Sequence, residues 1–235
     1  MKKVTQQQLS EAVYDELRRA IFTGELPLGQ RLNIPDIAET LSVSPSPIMV
    51  AVRRLSQEGL VVIKPRVGSF VAEMSPPQLK MLMQVREMME LFAMQNFNPS
   101  PMTMDHLDHA VVRMNAVYSV NSPDAYWEFN EYDAQFHETL IGALGNPLMK
   151  DMYRQLHFHF WIGRIILAAE GQSSKWRASR GDHDRILDAL QQGHIPLAAK
   201  ILGQHLQATR LLIESYIHAI NESQESPPKT EVRGQ

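Results

Sequence analysis

The sequence predicts a mostly α-helical fold in two parts. The first is a small N-terminal head of three helices and a β-hairpin. The second is a C-terminal all-α antiparallel helix bundle. Three observations carry this reading. Apolar residues recur at helical spacing through most of the 235 residues. Two β-rich runs, 60–64 and 69–72, flank a turn containing Pro65 and Gly68. The pattern changes at "EMSPPQ", residues 73–78, where two prolines and a serine mark a boundary.

The head comes first. "LSEAVYDELRRAIFTG" places Leu9, Val13, Leu17, Ala20 and Ile21 on one helical face, and Gly24 stops it. "IPDIAETLS" is a short second helix with Ile34, Ile37, Ala38 and Leu41 at the same spacing. "VSPSPIMVAVRRLSQEG" gives a third helix over 45–58: Ser44 or Ser46 can cap it, Pro47 suits its first turn and Gly59 closes it. The hairpin follows. Residues 1–74 then form one unit, a winged helix-turn-helix, with 75–78 as a linker.

The bundle occupies 79–221. Six helical segments are expected, near 76–97, 101–120, 123–144, 146–170, 175–192 and 195–220, separated by short turns of Pro, Gly, Ser and Asn. The methionines of "KMLMQVREMMELFAM" read as adaptable core filler. The tail at 222–235, "ESQESPPKTEVRGQ", has the polar, Pro-containing composition of disorder.

Composition excludes several classes. No apolar run approaches the roughly 18–20 residues of a membrane span. The N-terminus lacks the apolar core of a secretory signal. With no cysteine, any metal site must use nitrogen and oxygen ligands. A cytoplasmic protein is expected. Net charge is −3, but residues 1–73 carry 9 basic and 8 acidic side chains, whereas 74–235 carry 14 and 18. That asymmetry permits a DNA-binding head without demanding one.

The head has the parts that docking on DNA requires. The N-terminus of the third helix carries Ser44 and Ser46, which can reach base edges or phosphates. Arg53 and Arg54 flank it, and Lys64, Arg66 and Gly68 lie on the wing. "G-E-L-x-x-G-x-R-L", Ile-Ala-Glu-x-Leu, "V-S-x-S-P", "R-R-L-x-x-E-G-L" and "G-S-F-V" occur in that order. In these motifs the head resembles the DNA-binding domain of the GntR family of bacterial transcriptional regulators. The resemblance implies that Arg31, Ser44, Ser46, Arg53, Arg66 and Gly68 touch double-stranded DNA. It also shows departures: Pro45 stands where the family usually has arginine, and Met49 and Val50 where it has an Arg-Glu pair. A bidentate arginine–guanine contact is worth roughly 1–3 kcal/mol of discrimination. The expected operator is therefore a palindrome other than the family's common one.

In the bundle, "YDAQFHETL" puts Asp133 and His137 four residues apart, beside an apolar stripe of Phe129, Tyr132, Phe136, Leu140 and Ala143. His183 precedes Ile186, Leu187 and Leu190 at core spacing, and His205 lies among Ala198, Ile201, Leu202, Ala208 and Leu212. The two histidines lie 10 residues before and 12 after Gly193. At about 1.5 Å per residue they stand nearly level across an antiparallel hairpin. Three imidazoles and a carboxylate can therefore converge inside the bundle, either as a metal site or as hydrogen-bonded core residues. His157 and His159, two apart, are expected to place at most one ring inward and are left out of the set, as are His106, His109, His194 and His218.

Over 76–220 the chain resembles the FCD, or FadR-type, ligand-binding domain found behind GntR heads. Metal-binding members carry Asp-x3-His, a later His and a final His about 20 residues on; Asp133, His137, His183 and His205 match in order and spacing. "QVREMMEL" resembles the first helix of that domain, where an arginine matching Arg86 faces the effector. Six helices would suit the shorter, VanR-like branch. The resemblance implies a homodimeric repressor holding a divalent ion (Zn, Ni or Mn) and released from DNA by a small carboxylate effector. Two alternatives stand beside it. One is a metal-free regulator responding to acyl-type ligands. The other is a metal-dependent hydrolase, which would also need a general base near the ion; no HExxH or similar pairing is present.

Overall fold

The computed structural model describes residues 6–118, 120, 122–170 and 180–225. The head is built from α1 (Gln6–Thr23), β1 (Arg31–Leu32), α2 (Ile34–Thr40), α3 (Pro45–Gln57), β2 (Val61–Lys64) and β3 (Gly68–Val71). Its sheet is antiparallel in the order β1-β3-β2, with Val61 opposite Val71, Lys64 opposite Gly68 and Arg31 opposite Phe70. The hairpin appears where its β-rich runs predict it. The third strand, β1, is not foreseen, because two residues are too few to show a period.

The body comprises α4 (Pro76–Gln95), α5 (Pro101–Val117), α6 (Pro123–Gly142), α7 (Pro147–Gln155), α8 (Phe158–Glu170), α9 (Arg180–Gln191) and α10 (Ile195–Glu225). Four of these helices start the same way, with Pro at the first helical position after a Ser or Asn. The hydroxyls of Ser100 and Ser122 and the amide oxygen of Asn146 accept hydrogen bonds from the backbone N–H groups of Thr103, Ala125 and Met149. At α4 the backbone N–H of Ser75 donates to Gln78 Oε1 at 2.8 Å. Residues 75–78, read from sequence as a linker, are thus the cap and first turn of α4.

Three further expectations change. The segment 146–170 is two helices, not one, so seven body helices occur among the described residues and the likeness to a shorter branch loses its basis. The break falls at His157, whose φ is 46°. A left-handed residue ends a helix as glycine commonly does, and here a histidine takes that place. The tail begins later than 222, since α10 runs to Glu225; residues 226–235, and 175–179 of the fifth expected segment, lie outside the described residues. Of the methionines in α4, Met83, Met89 and Met94 are buried core, while Met81 and Met88 face outward.

One apolar core runs through both parts, from Val13, Leu17, Phe22 and Leu55 in the head to Phe136, Leu140, Ile186 and Leu202 in the body. The junction is the C-terminal half of α1. Phe22, fully buried, packs against Tyr126 and Trp127 of α6 and Phe160 of α8 at ring distances of 5.6, 4.9 and 5.7 Å. Arg18 adds an ion pair with Glu131 at 2.9 Å, and Arg19 one with Asp124 at 2.6 Å.

Candidate metal centre and DNA-binding face

The four residues selected from spacing meet inside the bundle. One ligand atom each from Asp133, His137, His183 and His205 lies within 4.8 Å of all the others. Helices α6, α9 and α10 supply them. His183 Nε2 is 2.9 Å from Asp133 Oδ1 and 3.3 Å from His137 Nε2. The rings of His183 and His205 lie 4.7 Å apart, level across the hairpin as the residue count predicts. All three histidines are buried.

Their protonation suits a cation. Burial lowers His137 to about 4, with Arg86 reinforcing it against the opposing pull of Glu90 and Asp133. Burial likewise lowers His205 to about 4. Both rings are therefore neutral at pH 7 and carry lone pairs. Burial alone would raise the Asp133 carboxyl, but His159, His183 and His137 hold it well below the usual carboxylate range. His137 and His205 thus offer neutral imidazole donors, and Asp133 an anionic oxygen.

Residues that the sequence reading passed over surround this set. His159, excluded because it sits two from His157, turns inward once α8 starts afresh after the break. Its Nδ1 is 2.7 Å from Asp133 Oδ2, and its Nε2 is 2.9 Å from the Tyr153 hydroxyl. That hydroxyl donates to Glu90 Oε1 at 2.6 Å, the same oxygen that accepts from Arg86 Nε at 2.6 Å. Glu90 Oε2 approaches His137 Nδ1 to 2.7 Å but lies off the N–H direction, so neither atom completes a hydrogen bond. Each oxygen of Asp133 thus faces a different imidazole, and the outer ring closes from Asp133 through His159, Tyr153 and Glu90 to His137. Carboxylate and hydroxyl partners of this kind orient metal-ligating groups. Glu90, His137 and His159 also cluster closely enough to form a second candidate set. Arg86 at 2.6 Å from Glu90 already supplies the positive charge there and disfavours a cation.

Arg86, expected to face an effector, does line a cavity of about 290 Å³ next to the four residues. Its Nε is committed to Glu90, and its buried Nη2 has no hydrogen-bond partner. The cavity wall is otherwise mainly apolar, with Tyr126, Phe129, Ile162 and Leu212, and it includes Asp133, His159, Asp182 and His205.

On the head, Arg31, Ser44, Ser46, Arg53 and Arg66 are exposed, and Gly68 is half-buried. Arg53 and Arg66 make no ion pair among the described residues. Arg66 has φ 63° and Gly68 φ 145°, and a Cβ on Gly68 would come within 2.9 Å of Arg31 Nε. The wing turn therefore requires glycine there, and the Arg31 side chain lies over it. Met49 and Val50 stand exposed on the outer face of α3. Arg54 departs from expectation. It lies 3.6 Å over the Tyr14 ring and pairs with Glu11 at 2.7 Å and Glu58 at 3.3 Å, so although exposed it is engaged in tying α3 to α1.

Comparison with known proteins gives the same two parts. Residues 9–71 match the bacterial regulatory proteins of the gntR family, and residues 81–208 match the FCD domain. An HTH-type transcriptional regulator from an unstable DNA locus of Streptomyces ambofaciens is 27% identical over 206 residues, 83% of this chain and 81% of that one. The gluconate operon transcriptional repressor of Bacillus subtilis (strain 168) is 27% identical over 144 residues, 60% of this chain and 57% of that one. The solved structure of E. coli McbR/YncC shares the fold with a TM-score of 0.68 at 19% identity, covering 91% of this chain and 99% of that one. These relatives and domains are transcriptional regulators rather than enzymes. The FCD match spans more than half of the sequence, and the chain belongs to the GntR family, as a DNA-binding transcriptional regulator with a C-terminal FCD domain.

Proposed function

We propose that the protein is a homodimeric repressor acting in the cytoplasm. Its grip on a palindromic operator is released by a small carboxylic acid bound beside a divalent metal ion, Zn, Ni or Mn, in the bundle. One observation carries the reading: the ligand atoms of Asp133, His137, His183 and His205 converge within 4.8 Å in buried surroundings. Three imidazoles and a carboxylate suit these borderline ions. A bound ion would supply a positive centre with coordination positions beyond the four protein donors. Arg86 Nη2, buried and free, suits a second carboxylate oxygen. The cavity is at the small end of ligand pockets, which favours a compact acid over a long acyl chain.

At the other end, Arg31, Ser44, Ser46, Arg53, Arg66 and Gly68 meet the double helix. Two heads would read half-sites one helical turn apart, about 34 Å. With Met49 and Val50 exposed in place of charged residues, α3 offers apolar contact to thymine methyl groups. This supports an operator different from the family's common one.

The test is elemental analysis of tag-free protein beside a His183→Ala/His205→Ala variant, followed by operator binding with and without small acids. About one metal per chain, lost in the variant, together with an acid that weakens operator binding, is the expected result. A chain that takes up no metal after supplementation overturns the reading. The effector would then be sought among metal-free, acyl-type ligands.

A further inference from the structure

Asn130 lies on α6, three residues before Asp133, and is 4% exposed. It lines the same cavity as Arg86, His159 and His205. Its amide nitrogen is buried and has no hydrogen-bond partner among the described residues. Leaving such a donor unmet costs stability, so its presence on a cavity wall points to an acceptor brought by a ligand.

The amide oxygen faces the other way. A Cβ on Gly163 would fall on Asn130 Oδ1 and within 2.7 Å of Phe22 Cε2. Nothing larger than glycine fits where α6, α8 and the head's α1 meet. Gly163 and Tyr126 belong both to the cavity wall and to the socket around Phe22. Beyond Phe22, α1 carries Glu11 and Tyr14, which hold Arg54 of α3. Tyr14, Leu17, Ile21 and Phe22 of α1 share one apolar core with Leu55 of α3, and that core links the cavity wall to the recognition helix.

We infer that Asn130 is the residue through which the DNA-binding head senses the cavity. Its NH2 donates to an acceptor beyond the first carboxylate of the acid: a hydroxyl, a carbonyl or a second carboxyl group. The displaced amide then moves Gly163 and Phe22 against each other. Cavity occupancy thereby biases the seating of α1 on α6 and α8. This rests on the acid-sensor reading above. It adds the ligand class, an acid with a second hydrogen-bond acceptor, and the place where binding reaches the head.

The experiment uses full-length, zinc-loaded protein as wild type, Asn130→Leu and Phe22→Leu. The probes are lactate, malonate, citrate and benzoate, with binding measured by calorimetry. Operator affinity is read by fluorescence anisotropy on a duplex selected from random DNA by the wild type. For the tightest acid, Asn130→Leu should keep its zinc and bind about tenfold more weakly. Benzoate, with no second acceptor, should bind more weakly than lactate, and Asn130→Leu should not affect it. Phe22→Leu should bind zinc and acid as the wild type does, while the acid's effect on operator affinity falls towards onefold. Undiminished acid binding in Asn130→Leu, or an undiminished operator response in Phe22→Leu, overturns the inference and leaves the sensor reading standing. If none of the acids binds the zinc-loaded wild type, or the bound acid leaves its operator affinity unchanged, the sensor reading fails and the inference falls with it.

Discussion

The Arg86–Glu90 pair permits a prediction with a worked magnitude. The two side chains are 2% and 0% exposed, and their N···O distance is 2.6 Å. Coulomb attraction at that distance is about 6 kcal/mol for an effective dielectric of about 20. Desolvating the two ions costs several kcal/mol each, so the intact pair adds little over an apolar pair of the same volume. Removing one partner is different. Glu90→Leu strands the guanidinium in the core, at a cost of about 3–5 kcal/mol. For a chain of 235 residues each kcal/mol lowers Tm by roughly 2–4 °C, so the expected fall is about 6–20 °C. The double variant Arg86→Met/Glu90→Leu removes both charges and should regain most of the loss. The assay is thermal unfolding of chelator-treated protein, followed by circular dichroism, for wild type, single and double variants. A single variant within about 1 kcal/mol of wild type would show that water reaches the guanidinium. A double variant no better than the single would show that the loss was packing. Either result would refute the view of Glu90 as the obligatory counter-ion of Arg86.

Other predictions address the remaining parts. His159→Phe leaves the four candidate ligands but removes the partner of Asp133 Oδ2, so zinc affinity in a chelator competition should fall about 10–100-fold; unchanged affinity would mean that Asp133 is held without it. In the metal-free protein, His137 and His205 titrate near 4 when folded and near 6.5 when unfolded. Between those values the unfolded chain binds more protons, so the histidines' contribution should be full above pH 6.5 and decline towards pH 4, and below that the loss should continue as the carboxyl of Asp133, held low in the fold, takes up its proton. The gap of 6.5 − 4 = 2.5 units corresponds to at most about 3 kcal/mol per histidine, and urea midpoints across that range would measure it. Arg66→Ala should weaken DNA binding similarly on all sequences and reduce the log–log salt slope by about one, and a loss confined to one base position would instead make Arg66 a base reader.

The sequence revealed what helix geometry turns into position. Asp133 and His137 share a face because they are one turn apart, and His183 and His205 are level because Gly193 turns the hairpin midway between them. His159 was hidden by its own local context. Its inward turn depends on a break at His157, and "RQLHFHFW" contains no glycine or proline to mark one. Glu90 was legible and overlooked. If Arg86 faces inward among the methionines of α4, a counter-ion is required, and Glu90 stands one turn further along the same face. Asn130 carried no signal as a single residue. Its isolation arises from what α8 and α1 place around it, a tertiary fact that no periodicity contains.

Phe22 has a consequence for how such proteins can be assembled from parts. A regulator of this layout looks like two exchangeable modules, because the match to each family stops short of the other. The packing does not divide there. The last turns of α1 are contiguous in sequence with the head, yet their apolar face is completed by α6 and α8. A head grafted from a relative would bring its own α1, and with it a side chain that must suit this glycine-floored socket. Grafts cut after the first helix, which keep the native Phe22 with the native body, should tolerate foreign recognition helices better than grafts cut at the proline pair.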